Sequence, residues 1–425
     1  MTQHPYDINL AEANHLNKKK WWRISNAVSG MFLGLIGLMW FYTTKRYEPN
    51  TQQLTNKAEV DKFLSENFSD LPNRRIPTGV FIQSLKFNSS SEVNFSGYIW
   101  QTYDRSEFEG TPTQNIRVGF VLPETVESGN NIEPKLSYIR DKGSQVVLGW
   151  YFEATLKQKF KYTKYPFDHK TVWIRIWSND FEQETVLVPD LSSYAATGID
   201  DDFGYDEDIV LGQWKLLETF FDYQTKSYNS NFGLSDSIVE NPHPELYFNI
   251  VIKRRFLNSF VIYILPLSLI ACLTFSMLLM VSKNPERSSL FGVNPSGVIG
   301  VCSSLFFVVL LSQVQIREQF SGANIVYIEY FYPLMYGALL AVSANAYLIS
   351  LPNTEKNPIL SWIESGDNIH PKLMYWPLLL GSATLITALI LLPSEPDSSV
   401  DDQLVVYDTV LSNDQRLQAT QRQDS

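Results

Sequence analysis

The side chains best suited to chemistry lie on one stretch of the chain, between residues 296 and 318. At about 100° per residue, a helix over this stretch brings small, hydroxyl-bearing, bulky apolar and acidic side chains onto one stripe roughly 100° wide. The stripe contains Ser296, Gly300, Ser303, Ser304, Phe307, Leu311, Val314 and Glu318. Hydroxyl oxygens can replace part of the hydration shell of an ion, and a ring of bulky apolar side chains can exclude water from a narrow passage.

Two interpretations of the stripe are open from its periodicity alone. Small residues let membrane helices approach each other closely, so the stripe could be a helix-packing face. It could also be the wall of an ion pathway, and because one helix cannot enclose a pore, this interpretation requires a ring of subunits. The periodicity favours neither. A helix start is predicted at Asn294-Pro295, since asparagine is a good N-cap and proline suits the first turn.

The elements around this stripe are predicted to be mostly membrane spans, each of which needs about 20 apolar residues. Five segments qualify, at 24–43, 256–282, 295–317, 324–351 and 374–392. The first follows Lys18, Lys19 and Lys20, so the positive-inside rule places residue 1 in the cytoplasm and residue 45 outside. We expect an uncleaved signal anchor here, with a cleaved signal peptide as the alternative.

The composition excludes some functional classes. The net charge of −11 argues against nucleic-acid binding, because no basic block is large enough to neutralise a phosphate backbone. The five histidines are scattered, and no catalytic motif is present, so we do not expect an enzyme. Cys272 and Cys302 lie in apolar runs, where buried free thiols are expected.

The segment from Arg75 to Arg255 has the pattern of a β-domain. Its short β-branched and aromatic runs, such as 81–87, 172–177 and 246–252, alternate in period two and are separated by turn residues. We therefore predict an α+β membrane protein with an extracellular antiparallel β-sandwich, followed by a four-helix transmembrane bundle and preceded by an N-terminal anchor helix.

The domain boundaries follow from these elements. They are a cytoplasmic N-terminus at 1–23, an anchor helix at 24–43, an external β-sandwich at 45–255, a transmembrane domain at 256–392 and an acidic external tail at 393–425. In the outer segment, Asp200, Asp201 and Asp202 begin an acidic run that could gather oxygen ligands for Ca²⁺, although it lacks the EF-hand spacing. A solvated loop is the alternative for this run.

Two motifs carry a resemblance to a known family. Residues 165–170 read Tyr-Pro-Phe-Asp-His-Lys, and Arg254 is followed by Pro266 at the start of an apolar run. This combination resembles the Cys-loop, or pentameric ligand-gated ion channel, superfamily over about residues 75–392. Gln158 and Val172 stand where the family has its two loop cysteines, so the chain is most similar to the prokaryotic branch without that disulfide.

The resemblance implies a homopentamer in a bacterial inner membrane, with the large domain in the periplasm. An agonist, which could be a small molecule, a proton or a divalent cation, would bind between outer domains and open a pore lined by the second channel helix. The implied gating residues are Tyr165, Pro166, Phe167, Asp168 and Arg254, with a partly buried Asp168–Arg254 pair. The implied ligand-binding residues are Trp177, Tyr223 and Tyr228, with Trp100 from the facing subunit.

Two features depart from the family pattern. Measured from Pro266, the pore helix would begin near Glu286, about seven residues or two turns before Pro295. Either the preceding loop is longer, which we favour, or the helix starts at 286 and kinks at Pro295. The N-terminal anchor is also not part of the usual subunit. A membrane-anchored periplasmic sensor or interaction protein that conducts no ions is the alternative function.

Overall fold

The structure is a computed structural model. It describes residues 5–46, 53–54, 56–68, 74–108, 118–129, 131–179, 185–194, 202–226, 228, 230, 233, 244–283, 294–352 and 357–393. The chain divides into two compact units. The helical unit comprises Met1–Tyr47, Lys161–Asp168 and Arg255–Ser394, and the β unit comprises Glu48–Phe160, His169–Arg254 and Glu395–Ser425.

The β unit begins with a short helix, α2 (Lys57–Asn67), whose N-cap Asn56 accepts a hydrogen bond from the backbone N–H of Glu59 at 2.9 Å. Its strands are β1 (Arg74–Phe87), β2 (Glu92–Asp104), β3 (Phe120–Val121), β4 (Ile132–Asp141), β5 (Gln145–Lys157), β6 (His169–Ser178), β7 (Thr185–Pro189), β8 (Trp214–Thr225) and β9 (Pro244–Arg254). The three period-two runs singled out in the sequence lie in β1, β6 and β9.

These strands form two sheets around one apolar core. The five-stranded sheet has the order β4-β5-β2-β1-β7, and the four-stranded sheet has the order β3-β6-β9-β8. Because successive side chains alternate between the faces of a strand, Phe95 and Phe152 of the first sheet meet Ile174 and Phe248 of the second in the core. All four side chains are completely buried.

The pairing of β7 differs from the antiparallel sheet predicted from the sequence. Strand β7 runs parallel to β1, with Arg74 opposite Thr185 and Thr78 opposite Pro189. The physical reason is a crossover, since the chain leaves β6 in one sheet and returns as β7 in the other, where it reaches the edge beside β1. The other ladders between the named strands are antiparallel.

The described part of the chain contains five helices long and apolar enough to cross a membrane. They lie in α1 (Pro5–Lys45), α3 (Phe256–Met280, with a π-helical turn at Phe260–Ile264), α4 (Pro295–Gln319), α5 (Phe331–Ser350, preceded by a 3₁₀ turn at Tyr327–Tyr330) and α7 (Ile369–Leu391). A shorter helix, α6 (Pro358–Glu364), lies between α5 and α7.

The last span begins earlier than predicted, at Ile369 rather than at residue 374. Lys372 lies inside this helix, where its ammonium group donates hydrogen bonds to Val281 O at 2.8 Å and to Asp367 O at 3.1 Å. A hydropathy pattern cannot anticipate such a buried lysine, because one of its polar partners, Val281, lies 91 residues away in sequence.

Helix α1 packs along α7. The Ser25 hydroxyl donates to Leu373 O at 2.6 Å, and the Thr384 hydroxyl donates to Phe32 O at 3.4 Å. At Gly381 a Cβ atom would lie 3.3 Å from Cε2 of Phe32, so the glycine permits the two helices to approach closely. Helix α1 is therefore fastened to the rest of the helical unit at several levels.

Candidate functional site

The stripe predicted on 296–318 lies on the exposed face of α4. The helix buries Val298, Cys302, Val309 and Ile316 against its own unit. At about 100° per residue, the centre of this buried face is roughly half a turn of the helix away from the centre of the predicted stripe. Phe307 is 64% exposed and Leu311 is 69% exposed, whereas Val309 between them is 0% exposed.

The remaining stripe residues share this exposure. They are Ser296, Gly300, Ser303, Ser304, Val314 and Glu318. The Ser303 hydroxyl donates to Ile299 O at 2.8 Å, and the Ser304 hydroxyl donates to Gly300 O at 3.1 Å. Each hydroxyl group donates its hydrogen bond to its own helix. Its oxygen lone pairs therefore stay available on the exposed face, where they can contact water or a cation.

The start of α4 is set at Pro295 by its cap. Asn294 has an extended backbone (φ −92°, ψ 164°), and its side chain accepts a hydrogen bond from Gly297 N at 2.7 Å. A continuous helix that passes through residue 294 and kinks at Pro295 is therefore excluded. Residues 284–293, including Glu286, lie outside the described part of the chain.

Polar side chains hold the far end of α4 in place. The Tyr336 hydroxyl donates to Gln313 Oε1 at 2.6 Å, and the Tyr263 hydroxyl donates to Gln319. Arg317 lies 3.3 Å from the buried carboxylate of Glu329 and donates to Ala323 O at 2.8 Å. These contacts from α3, α5 and the segment after α4 fix the rotation of α4, and with it the direction of the exposed stripe.

The loop that carries the Tyr-Pro-Phe-Asp motif, Lys161–Asp168, belongs to the helical unit and is called the Pro166 loop. Tyr165, which is followed by a cis peptide bond to Pro166, is buried, and its hydroxyl lies 3.0 Å from that of Ser259 in α3. Its ring packs on Phe320, the residue that follows α4, with centroids 4.6 Å apart. Tyr162 packs on the same ring at 5.0 Å. The loop thus contacts the end of α4 directly.

Phe167 extends the contacts of this loop to three other elements. Its ring stacks on Phe256 at the start of α3, with centroids 5.0 Å apart. It also packs on Tyr327 at 6.1 Å and on Trp40 of α1 at 5.8 Å. The backbone N–H of Tyr327 donates to Thr163 O at 2.9 Å. The loop is therefore packed into a cluster of helix ends.

The other two predicted gating residues, Asp168 and Arg254, are each 5% exposed. The Arg254 guanidinium lies over the ring of Trp214, with Cζ 3.9 Å from the ring centroid, a distance at which a cation–π attraction is strong. The Asp168–Arg254 pair stays a prediction.

In the β unit, the structure brings two of the four predicted ligand-binding residues together. The rings of Trp177 and Tyr228 meet edge to face, with centroids 5.8 Å apart. Both residues donate to the carboxylate of Glu245, Trp177 through its indole N–H at 2.9 Å and Tyr228 through its hydroxyl. This group is called the Trp177 cluster below, and it also includes Arg175 and Glu124.

Arg175 is the centre of charge in the Trp177 cluster. Its guanidinium pairs with Glu245 at 3.1 Å and with Glu124, donates to the Tyr228 hydroxyl at 3.0 Å, and lies 5.1 Å from the ring centroid of Trp177. The guanidinium group of Arg175 therefore fills the space between the aromatic rings and the carboxylates.

Burial and neighbouring charges shift the protonation of this cluster. Burial raises the pKa of Glu124, although the charge of Arg175 acts in the opposite direction. Among the described residues, Glu124 Oε2 is buried without a hydrogen-bond partner. Burial and then repulsion from Arg175 lower the pKa of Lys226. Burial would lower the pKa of Arg175, but Tyr247, Glu245 and Glu124 raise it overall, so the guanidinium stays charged.

Tyr223 and Trp100 lie elsewhere. Tyr223 is in the core, where its hydroxyl donates to Leu187 O at 2.8 Å and its ring stacks on Phe63 at 5.9 Å. Its place in β8 explains this position, because the residue shares a strand face with the core residue Phe221. Trp100 is in the other sheet, and its indole N–H donates to Asp190 at 2.9 Å.

Three residues of the Trp177 cluster were not predicted from the sequence, namely Arg175, Glu245 and Glu124. A signal for Arg175 was present, because residues two apart in a strand lie on the same face, which places Arg175 beside Trp177. Glu245 could not be found in this way, since it reaches the cluster through the pairing of β9 with β6. No local pattern encodes that register.

The predicted Ca²⁺ site lies only partly within the described residues. Asp200 and Asp201 lie outside the described residues, and Asp202 is half-buried. Within the described ranges, no group of three or more His, Cys, Asp or Glu side chains is placed to hold a metal ion. Cys302 is buried as expected, whereas Cys272 lies on an exposed face of α3. A scan against protein-family models and a search of curated proteins found no match for the chain.

Proposed function

We propose that the chain is one subunit of a homopentameric ligand-gated ion channel in a bacterial inner membrane. The observation that carries the proposal is the exposed stripe on α4. Its hydroxyl oxygens, Phe307 and Leu311 face away from the unit in the middle of an apolar helix. The free lone pairs of these hydroxyl oxygens can contact water or a cation, whereas a lipid-facing stripe would leave them without a partner.

In this proposal, α3, α4, α5 and α7 form a four-helix transmembrane bundle, and α1 is a further span that anchors the chain. The two sheets form a β-sandwich in the periplasm. The exposed side chains of Lys18, Lys19 and Lys20 support the orientation, because basic residues next to a span favour the cytoplasmic side. Counting spans then puts the loop after α3 in the cytoplasm and the end of α4 outside.

A pore of this kind needs a ring of subunits. A single exposed face cannot enclose a pathway, but copies of α4 arranged around an axis can, and closed rings are the usual form of such assemblies. Phe307 and Leu311 lie about one helical turn apart, so each supplies one ring of apolar side chains. Either ring could close the pathway by excluding water. The number five comes from the resemblance to the pentameric family.

The Pro166 loop supports a route from agonist binding to the pore. Tyr165 packs on Phe320, which follows α4, and Phe167 packs on Phe256 at the start of α3. We propose that agonist binding between outer domains moves this loop, which presses on the segment 318–324 and tilts α4. The agonist can shift the closed–open equilibrium only by the difference between its affinities for the two states.

The Trp177 cluster is the proposed agonist face of one subunit, with Trp100 supplied by its neighbour. Because Arg175 already occupies the space beside Trp177 and Glu245, an agonist must either displace this guanidinium or alter its pairing with the carboxylates. A small molecule, a proton and a divalent cation could each do so. Removing the charge of Glu245 or Glu124 would weaken the hydrogen bonds and the ion pairs that hold Arg175.

Ion flux through purified protein in liposomes tests the proposal. The complex should contain five copies of the 48.7 kDa chain in detergent. Current should appear while pH, Ca²⁺ and small amines are varied one at a time. A Leu311→Trp variant should abolish the flux, since the larger side chain narrows the proposed ion pathway. Leu269→Trp on α3, at a residue that is 57% exposed, is the matched control and should conduct normally.

Absence of flux under every condition, with the protein folded and oligomeric, would refute the channel proposal. The same protein would then be better described as a membrane-anchored periplasmic sensor or interaction protein. Equal loss of flux in Leu311→Trp and Leu269→Trp would mean that the stripe on α4 does not line the pathway.

A further inference from the structure

Trp40 lies near the end of α1 and faces into the helical unit. Its ring packs on Phe167 of the Pro166 loop at 5.8 Å and on Phe256 of α3 at 5.5 Å. On the same helix, Leu38 is 66% exposed and Phe41 is 61% exposed. Trp40 is therefore the point at which α1 enters the cluster of helix ends around the loop.

A hydrogen bond also connects Trp40 to Tyr327. The indole N–H of Trp40 donates to the Tyr327 hydroxyl at 2.8 Å, and that hydroxyl lies 2.7 Å from Thr387 Oγ1 of α7. The backbone N–H of the same tyrosine donates to Thr163 O in the Pro166 loop. Tyr327 is completely buried, so an unpaired polar group on it would cost free energy. One tyrosine thus joins α1, α7 and the loop.

Contacts between α1 and α7 fix the position of Trp40. Helix α1 is fastened to α7 through Ser25 and Leu373 and through Phe32 and Gly381. The hydroxyl groups of Thr43 and Thr44, beyond Trp40, donate to backbone oxygens of α1 at 2.8 and 2.7 Å. A side chain on a helix held in this way gives its neighbours a firm support, because packed interiors yield little.

We infer that α1 takes part in coupling the Pro166 loop to the channel helices. In this inference, Trp40 is a positioning residue that holds Tyr327 and the Pro166 loop in contact with those helices. The inference rests on the proposed channel function and deepens it. With Trp40 in place, a displacement of Phe167 is passed to Phe256 and Tyr327. Without it, part of the displacement is absorbed in the space the indole ring occupied.

The first test measures the loop itself and needs no agonist. In a background with Cys272 and Cys302 replaced, a Thr163→Cys variant reports exposure of the loop through its rate of reaction with a small charged thiol reagent. Trp40→Ala should raise this rate by more than the roughly fivefold expected for loss of one buried hydrogen bond, because it also removes the ring that packs on Phe167 and Phe256. Trp40→Phe, which keeps a ring but loses the N–H, should give a smaller rise. Phe41→Ala is the matched control and should leave the rate unchanged.

The second test measures gating in planar bilayers. Trp40→Phe and Tyr327→Phe should each lower the open probability while single-channel conductance stays the same, which mere loss of folded protein would not produce. Tyr327→Phe also removes the contact with Thr387, so the double variant should show no further loss beyond that of Tyr327→Phe, in which the hydrogen bond from Trp40 is already absent. Independent, additive losses would overturn the assignment of Trp40 to this contact.

The two tests separate failure of the inference from failure of the proposed function. If the wild type conducts no ions, the channel proposal fails, and the labelling rates still decide whether Trp40 holds the loop. If the wild type conducts but Trp40→Ala and Phe41→Ala behave alike in labelling and open probability, α1 is an anchor only. A rise in open probability for Trp40→Phe would also overturn the inference, since Trp40 would then restrain the loop.

Discussion

The ring of Tyr165 packs against the ring of Phe320, with their centroids 4.6 Å apart. Phe320 directly follows the helix that carries the exposed stripe, and it is 2% exposed. Tyr162 contacts the same ring from the other end of the loop. A single side chain at the end of α4 therefore contacts two aromatic side chains of the Pro166 loop.

Phe320→Ala should destabilise the protein by about 3–5 kcal/mol, because it removes a buried ring and leaves a cavity beside Tyr165. Thermal unfolding in detergent, followed by intrinsic fluorescence, measures the change. Phe307→Ala is the control at an exposed position of the preceding helix, and its effect should stay within roughly 0.5 kcal/mol. Equal destabilisation by the two variants would mean that Phe320 is not anchored as described.

Phe307→Ser should raise basal conductance, because a hydroxyl in an apolar constriction favours wetting. Val309→Ser, at a completely buried position on the opposite face, should lower stability instead. Current at zero agonist and thermal unfolding distinguish the two effects.

Cysteine substitution along α4 maps the same stripe. In a background without Cys272 and Cys302, a small charged thiol reagent should block current at positions 300, 303, 307, 311 and 314. Positions 305 and 309 should be insensitive, since Val309 is buried and Leu305 is partly buried beside it. Block of current only at positions 305 and 309 would place the ion pathway on the face of α4 opposite to the exposed stripe.

Glu245→Gln should destabilise the β unit by about 3–5 kcal/mol, because removing one partner of a buried ion pair leaves the charge of Arg175 poorly compensated. The side chains of Arg175 and Glu245 are 9% and 7% exposed. Asp61→Asn, which breaks the Arg75–Asp61 pair at 43% and 47% exposure, is the matched control and should cost about 0–1 kcal/mol. Denaturant unfolding of both variants compares the two pairs, and a cost for Glu245→Gln no larger than the control would contradict the assignment.

The pH dependence of stability should carry a contribution from Asp222. This residue is 2% exposed and accepts a hydrogen bond from Asn249 at 2.7 Å. Burial raises its pKa from 3.8 to about 6, against the smaller opposing effect of the hydrogen bonds from Asn249 and Gln224. The folded state therefore binds a proton that the unfolded state has released between these two values.

Because of this difference in proton binding, Asp222 favours the folded state more at low pH than at high pH. Stability from this group is highest below the unfolded pKa and falls as pH rises towards about 6, by roughly 3 kcal/mol in total. Asp222→Asn should remove that part of the pH dependence, which urea unfolding at pH 4 to 7 would measure as a flatter curve. A wild-type curve and a variant curve of equal slope would show that Asp222 does not titrate in this range.

Local features of the chain were predictable because they depend on neighbouring residues. The five apolar spans follow from hydropathy, and the start of α4 follows from the Asn294 cap and Pro295. The strands at 81–87, 172–177 and 246–252 follow from period-two alternation. The stripe on α4 follows from helical spacing, but spacing alone left open whether it is a packing face or an exposed one.

Only the tertiary structure decided which residues meet. It placed Val309 against the unit and Phe307 away from it, so the stripe is the exposed face of α4. It brought Glu245 to Arg175 through strand register, and it put Tyr223 in the core instead of beside Trp177. It joined Trp40 to Tyr327 across 287 residues of sequence. Such contacts depend on register and packing between distant elements, which no local pattern of residues encodes.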